Sequence, residues 1–488
     1  MMTLLDKARP NGRNRRGLIG GAVRGWLIGA ALSLTAPAAM SETLADALAA
    51  AYNTSGLLEQ NRALLRAADE DVAASVARLR PIISWTTDVT RTYNNTSSSS
   101  GLTALSSGGS TDSVALNAAI TAEWLLYDFG RSQLTIASAK ELVLATRQSL
   151  VGIEQDVLLR AVQAYMDVVR NTRFVALRRN NVRVIGESLR AAEDRFEVGE
   201  VTRTDVAQAE ARLSLARSNL ATAQGDLERA IEEYVAVTGR RPGNLVSPPR
   251  VPTLTRSEDT AKLVALRSHP DMLSAQYNVA AAELNVLVAE AAMRPSVSLG
   301  ASLGVSENID GGVDSDNNRL SLGLSGPIYQ GGALSSAKRS AYAQRDAQLG
   351  VLHQTRDRIR QNVGIAYAIL EAARASAISS GEQVRAGRVA FEGVNEEANL
   401  GARTTLDVLN AEQEYLDAQA NQISAEADVI VAAYAVLEST GELTVRDLNL
   451  AVQTYDPAAY YNLVKDAPAA LSERGKSLDR VLRKIGNQ

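Results

Sequence analysis

From Pro295 onward the chain alternates with period two. Val297, Leu299, Ala301, Leu303 and Val305 fall on one side, and Ser298, Gly300, Ser302, Gly304 and Ser306 on the other. The next segment sets Leu320, Leu322 and Leu324 against Ser321, Gly323 and Ser325. Two earlier segments behave alike. Ile83, Trp85, Val89 and Tyr93 oppose Ser84, Thr86, Asp88 and Thr90; Val114, Leu116, Ala118, Ile120 and Trp124 oppose Ser113, Asn117, Thr121 and Glu123. Four strands are expected, over 82–93, 112–126, 296–306 and 318–328. Elsewhere the period is that of helices. Val206, Leu213, Leu220, Leu227 and Tyr234 recur every seventh residue, with Ala209, Ala216, Ala223, Ala230 and Val237 between them, a coiled-coil seam. Val408, Ala411, Tyr415, Ala418, Ala425, Val429 and Ala432 repeat it, interrupted at Gln422. No proline lies between Pro81 and Pro242, or between Pro327 and Pro457. Unbroken helices are therefore expected over 131–198 and 333–400, each reaching about 100 Å. Shorter helices are expected over 42–79, 204–238, 259–293 and 406–440.

These elements occur twice. Residues 195–211 read RFEVGEVTRTDVAQAEA and residues 397–413 read EANLGARTTLDVLNAEQ. An offset of 202 maps Gly199 to Gly401, Thr202 to Thr404, Asp205 to Asp407 and Glu210 to Glu412, and also Tyr127 to Tyr329 and Thr238-Gly239 to Thr440-Gly441. Upstream, Arg80-Pro81 matches Arg294-Pro295 at an offset of 214; the first copy carries the Ser/Gly-rich tract Asn94 to Ser110, which belongs in a solvent loop. The chain divides into repeat 1 (41–242), a linker (243–258) and repeat 2 (259–441). Segment 442–488, with Tyr455, Pro457, Tyr460 and Tyr461, is expected to pack around the waist of the helices.

Period-two segments of about ten residues are the form of a membrane strand with one lipid face and one wet face. The residues expected to face lipid are Ile83, Trp85, Val89, Leu116, Ile120, Trp124, Val297, Leu299, Leu303, Leu320, Leu322 and Leu324. Four strands cannot close a barrel, because lipid does not satisfy a bare sheet edge. Two chains would supply eight strands and three would supply twelve, and the count alone leaves both open. A soluble half-buried sheet also fits the alternation, and a periplasmic coiled-coil scaffold without a pore also fits the heptads.

Composition narrows the function. Aromatics are 4% of the 488 residues while Ala is abundant, which suits closely packed long helices. There is no cysteine and only His269 and His353, so thiolate metal sites, a Cys nucleophile and Ser-His-Asp catalysis are disfavoured, and neither an enzyme nor a cofactor is expected. Residues 1–40 read as a signal peptide: Arg13, Arg15, Arg16 and Arg24 precede the short apolar stretch Trp26 to Leu34, and Ala36-Pro37-Ala38-Ala39 offers a cleavage site. Those residues hold six Lys/Arg and one Asp, leaving 45 basic against 54 acidic side chains, a net charge of about −9. An acidic exported chain is a poor partner for nucleic acid.

At this point the chain resembles the TolC-type outer-membrane efflux duct family. The resemblance rests on the duplication, Tyr127-Asp128-Phe129-Gly130 after the second strand, Tyr329-Gln330-Gly331-Gly332 after the fourth, and the two VG/LG-xx-T turns. It implies an α+β membrane protein: a homotrimer whose twelve-stranded β-barrel, four strands per chain, continues into a long periplasmic α-helical barrel. It further implies export across periplasm and outer membrane, as in type I protein secretion or multidrug efflux. The implied partners are a periplasmic adaptor (membrane fusion) protein, an inner-membrane ABC or RND transporter, and outer-membrane lipid. Arg403 matches the family's linking arginine, Thr204 and Asp205 its partners, and Asp407 its first constriction carboxylate. Asn410 stands where a second carboxylate is usual, and Ala398 replaces a linking tyrosine. Val198, Gly199, Thr202, Leu400, Gly401 and Thr404 resemble adaptor-docking turns.

Overall fold

The computed structural model describes residues 42–95, 110–246, 257–311, 313–470 and 472–486, with 249, 251, 252 and 254. The expected signal peptide and most of the Asn94–Ser110 tract lie outside the described residues.

Repeat 1 comprises α1 (Leu44–Thr54), α2 (Gly56–Ala77), β1 (Ile82–Asn95), β2 (Ser110–Tyr127), α3 (Arg131–Glu197) and α4 (Arg203–Thr238). Repeat 2 comprises α5 (Glu258–Ser268), α6 (Pro270–Ala291), β3 (Ser296–Asn308), β4 (Ser315–Ser325), α7 (Ala333–Asn399) and α8 (Thr405–Ser439). Two short helices follow, α9 (Pro457–Val464) and α10 (Glu473–Gly486). The long helices α3 and α7 each run 67 residues without a break.

Where single helices were expected over 42–79 and 259–293, there are two each. The breaks fall at Ser55 and His269, equivalent positions of the repeats. Each residue caps the helix that follows: Ser55 Oγ accepts the Leu58 N–H at 3.3 Å, and His269 Nδ1 accepts the Asp271 N–H at 3.1 Å. Pro270, at the first turn of α6, has no N–H to satisfy there. Each break sits against the glycine ending the fourth helix of its own repeat. Gly239 lies on Thr54 and Gly441 on His269, both with positive φ and no room for a Cβ to be added freely.

β4 is also displaced from its expected span of 318–328. It occupies Ser315–Ser325 and stops before Gly326-Pro327. Pro327 has no N–H for a ladder, and Gly326 lies so close to Pro295 that a Cβ would stand 2.9 Å from it.

α3 is the spine. It packs on α4 and α8 towards the two helix turns, and on α2 and α6 towards the strands, while α7 packs on α8 and α6. The main apolar core lies at mid-height, where α1, the middle of α3, the ends of α4 and α8 and segment 443–452 meet around Leu48, Leu158, Tyr165, Tyr234 and Leu443. Tyr165 Oη donates to the carbonyls of Val246 and Glu42 at 2.7 and 3.1 Å, and Tyr234 Oη donates to Glu42 Oε1 at 2.6 Å. These bonds fasten Glu42, just before α1, to α3 and α4, and Val246 of the linker to α3. α9 lies along α2, with Tyr460 Oη donating to Glu70 Oε1 at 2.7 Å.

Candidate channel and gate

The two hairpins form one antiparallel sheet in the order β1-β2-β3-β4. Its register sorts the side chains cleanly. Trp85 lies opposite Ile120 and Ile120 opposite Leu303; Trp124, Leu299 and Leu322 form another row, and Ile83 connects through Ala122 and Ala301 to Leu320. Val89 pairs with Leu116, and Val297 with Leu324. All twelve residues expected to face lipid therefore share one face. The opposite face carries Ser84, Thr121, Ser302 and Arg319 in one row and Asp88, Asn117, Ser306 and Ser315 in another. Polar groups there bond to one another, as in Asn117 Nδ2 to Asp88 at 3.0 Å and the Ser84–Thr121 hydroxyl pair at 2.8 Å.

The apolar face has the height of a bilayer core. From Leu116 to Tyr127 the strand covers about 36 Å, which at a tilt of about 40° spans roughly 28 Å. Trp85 and Tyr93 are largely exposed, at 75% and 67%, although their face is apolar. Beyond Val89 the face turns charged, with Arg91 Nε on Asp112 Oδ1 at 3.0 Å. β1 and β4 are the two ends of the sheet, and every residue of both is exposed.

At the far end of the helices, the turn from α3 to α4 and the turn from α7 to α8 are built alike. Gly199 and Gly401 have φ of 80° and 79°, which side chains rarely adopt. The N–H groups of Glu200 and Ala402 close each helix on the carbonyls of Arg195 and Glu397 at 2.9 and 2.8 Å. Thr202 and Thr404 then open the next helix. Asp205 Oδ2 accepts the Thr202 N–H at 2.9 Å and its hydroxyl at 2.7 Å; Asp407 Oδ2 accepts the Thr404 N–H at 3.0 Å and its hydroxyl at 2.8 Å. Both threonines return a bond to the aspartate N–H, completing capping boxes. The Thr202 hydroxyl and N–H hold the Asp205 pKa below its ordinary value, and the Thr404 N–H and hydroxyl do the same for Asp407.

Arg403 Nε donates to Glu397 Oε2 at 2.8 Å, on its own turn. No Arg403–Asp205 pair occurs among the described residues, and Thr204 is exposed. Asn410, in contrast, does bridge the repeats: Arg212 Nη2 on α4 donates to its Oδ1 at 3.0 Å. Two helical residues further along α8, Glu412 is buried and accepts from Asn181 Nδ2 of α3 at 3.0 Å. Burial pushes the Glu412 carboxyl up to about 7, partly offset by the Asn181 bond, and its Oε2 has no hydrogen-bond partner among the described residues. Further up, Arg173 on α3 bonds Glu426 on α8 at 2.6 Å.

Arg212, Asn181 and Glu412 were missed by the sequence reading. The signal for Glu412 was present, because Leu409, Leu416, Ile423 and Ile430 recur every seventh residue as a second buried stripe on α8. Ile185, Leu213, Ala216 and Leu409 close one small core between α3, α4 and α8 just inside the turns. Outside it, Val198 and Leu400 are 72% and 85% exposed, with Phe196 and Leu406 beside them. Among the described residues, no helix is long and apolar enough to cross a membrane, and no group of three or more His, Asp or Glu side chains is placed to hold a metal ion.

A profile of the family described as "Outer membrane efflux protein" matches residues 48–240 and 264–442, one stretch in each repeat. The chain belongs to the outer membrane efflux protein family. It is 38% identical over 435 residues to the outer membrane efflux protein BepC of Brucella suis biovar 1, covering 89% of this chain and 92% of that protein. It is 26% identical over 320 residues to the alkaline protease secretion protein AprF of Pseudomonas aeruginosa, covering 62% of this chain and 64% of that one. The solved Campylobacter jejuni CmeC outer membrane channel superposes with a TM-score of 0.71 at 16% identity, over 87% of this chain and 90% of that chain. The chain is thus an outer-membrane efflux channel that reaches into the periplasm, and members of its family are channel proteins rather than enzymes.

Proposed function

We propose that three copies of the chain close one twelve-stranded barrel and one helical tunnel. The observation that carries this reading is a sheet with an apolar outer face and two unpaired edges, β1 and β4. Each unsatisfied backbone group in lipid costs several kcal/mol, so the edges need partners. β1 and β4 run in opposite directions, and copies joined edge to edge continue the antiparallel pattern. Eight strands enclose an interior that side chains fill, whereas a conduit needs a wider ring, which favours three copies over two.

The periplasmic end is the gate. Arg212–Asn410 and Asn181–Glu412 hold α8 against α4 and α3, and opening swings the α7–α8 pair away from them. Asp205 and Asp407 keep the turns folded, with three copies of Asp407 contributing charge near the axis. The apolar tips Val198 and Leu400 form, with Gly199, Thr202, Gly401 and Thr404, the surface for a periplasmic adaptor protein; an inner-membrane ABC or RND transporter supplies the energy. Exported proteins or small toxic compounds are the cargo, and the secretion role named for AprF supports the first class.

Reconstitution in a planar lipid bilayer tests the reading. The mature chain is expected to give long-lived channels of low conductance, and Arg212→Ala to raise that conductance severalfold. A protein that never inserts from detergent, and fractionates as a soluble periplasmic monomer, points instead to the scaffold alternative.

A further inference from the structure

α10 reverses the charge of an acidic chain. It carries Arg474, Lys476, Arg480, Arg483 and Lys484 against Glu473 and Asp479. Arg474 pairs with Asp466 at 2.6 Å and Lys476 with Glu473 at 3.3 Å, whereas Arg480, Arg483 and Lys484 have no ion pair among the described residues. The helix is amphipathic. Leu478, Val481 and Leu482 stand three and four residues apart on one side, and at 100° per residue Lys476, Arg480, Arg483 and Lys484 fall on the other. Leu478 packs against the cluster of Ala73, Tyr460 and Val464, which anchors the first turns of the apolar stripe, while Leu482 further along is exposed. The four cations on the opposite side are exposed.

The position of α10 in the fold gives that charge a partner. The Arg80 guanidinium donates to the carbonyls of Asp466 and Ala467, just before α10 begins. Arg80 is also two residues from Ile82, where β1 enters the membrane sheet. α9 climbs along α2 from Glu70 through Ala73 to this tether, so α10 opens at the level where the barrel meets the helices. The headgroup layer is only about 5–7 Å thick on each side of the hydrocarbon, a distance that lysine and arginine side chains cover.

We propose that the cationic face of α10 binds the anionic phospholipid headgroups of the outer membrane's periplasmic leaflet. The helix is then a collar that fixes the height of the channel in the bilayer, one per protomer. Basic helices beside a membrane span recognise anionic lipid by charge, and that attraction weakens as salt rises. The occupant is lipid rather than a soluble anion because the tether makes α10 continuous with the membrane-crossing sheet. The inference rests on the outer-membrane location and not on the number of copies in the barrel.

The chain has no cysteine, so Asp479→Cys accepts one nitroxide per protomer without removing a cation. The full mature channel is placed in nanodiscs of phosphatidylcholine alone or mixed with phosphatidylglycerol. Accessibility of the label to a water-soluble relaxant is expected to fall about threefold with phosphatidylglycerol, and high salt is expected to restore it. Combining Lys476→Glu, Arg480→Glu, Arg483→Glu and Lys484→Glu should abolish the difference. Equal accessibility in both lipids overturns the proposal, even if the charge-reversed variant fails to assemble. Label-to-label distances that place α10 on the acidic surface of a neighbouring protomer, whatever the lipid, overturn it too.

Discussion

Glu412 is an acid placed where an apolar residue would be expected, in the stripe of α8 that faces α3. Burial raises its pKa to about 7, so the folded chain keeps this proton at pH values where an unfolded glutamate, ionising near 4.5, has lost it. Below the unfolded value the carboxyl is neutral in both states and no penalty arises. Between about 4.5 and about 7 the unfolded chain has released a proton that the folded chain keeps, so stability falls through that window, by about 3 kcal/mol in all, and levels off above it. Glu412→Gln keeps an oxygen for the Asn181 amide and removes the charge. Thermal unfolding between pH 5 and 8 should then lose stability with rising pH in the parent and stay flatter in the variant. Equal slopes would show that the Glu412 pKa is not raised by folding. Thr404 makes a second residue-scale test, because its hydroxyl and N–H both serve the α8 capping box. Thr404→Ala should cost about 1 kcal/mol in denaturant unfolding, and the Asp407 pKa, followed by NMR, should move up towards its ordinary value. An unmoved Asp407 would mean that something other than Thr404 holds it.

Among the elements, α8 makes the bonds between repeats on which the proposed gate rests, and it also shows where the sequence pattern stops being informative. Its seam towards α7, through Val408, Ala411, Tyr415 and Ala418, was readable from the heptad alone. The second stripe is interleaved with the first by one residue, so the two merge into a broad apolar surface whose partner the sequence does not name. α4, the sister helix, carries Ser214 and Glu228 at the corresponding places and buries only one seam. The repeats therefore share a pattern but differ in packing: α8 is held on two sides and α4 on one. The two helix breaks were hidden for a local reason, since a single Ser or His decides each cap, although Pro270 was a visible marker. T-x-x-D was likewise visible before each fourth helix and identifies Asp205 and Asp407 as capping residues. Bilayer conductance separates the two latch readings. Arg212→Ala should open the closed channel more than Arg403→Ser, because Arg212 crosses between repeats while Arg403 bonds Glu397 on its own turn. The reverse order would return the latch to Arg403 and Asp205 in the assembled protein.

For the whole molecule the decisive feature is the sheet. Which residues share a face was legible, because a period of two leaves only two choices and one of them collects most of the large apolar side chains, with Ile82 and Leu125 on the other. The ends of β4 were not, since Gly326 stops the strand through its closeness to Pro295, a contact made across the hairpin base. What one chain cannot do is finish the sheet: the two outer strands present bare backbone along the same height at which the outer face is apolar. Cysteine pairs introduced between the middle of β1 and the middle of β4, such as Thr87→Cys with each of Asn317→Cys, Asn318→Cys and Arg319→Cys, test this directly in a chain with no native cysteine. Oxidation in native outer membranes should give, for at least one pair, covalent dimers and trimers and no larger species on denaturing gels. Disulfides confined to single chains, or a ladder that ends at the dimer, would contradict a barrel shared by three.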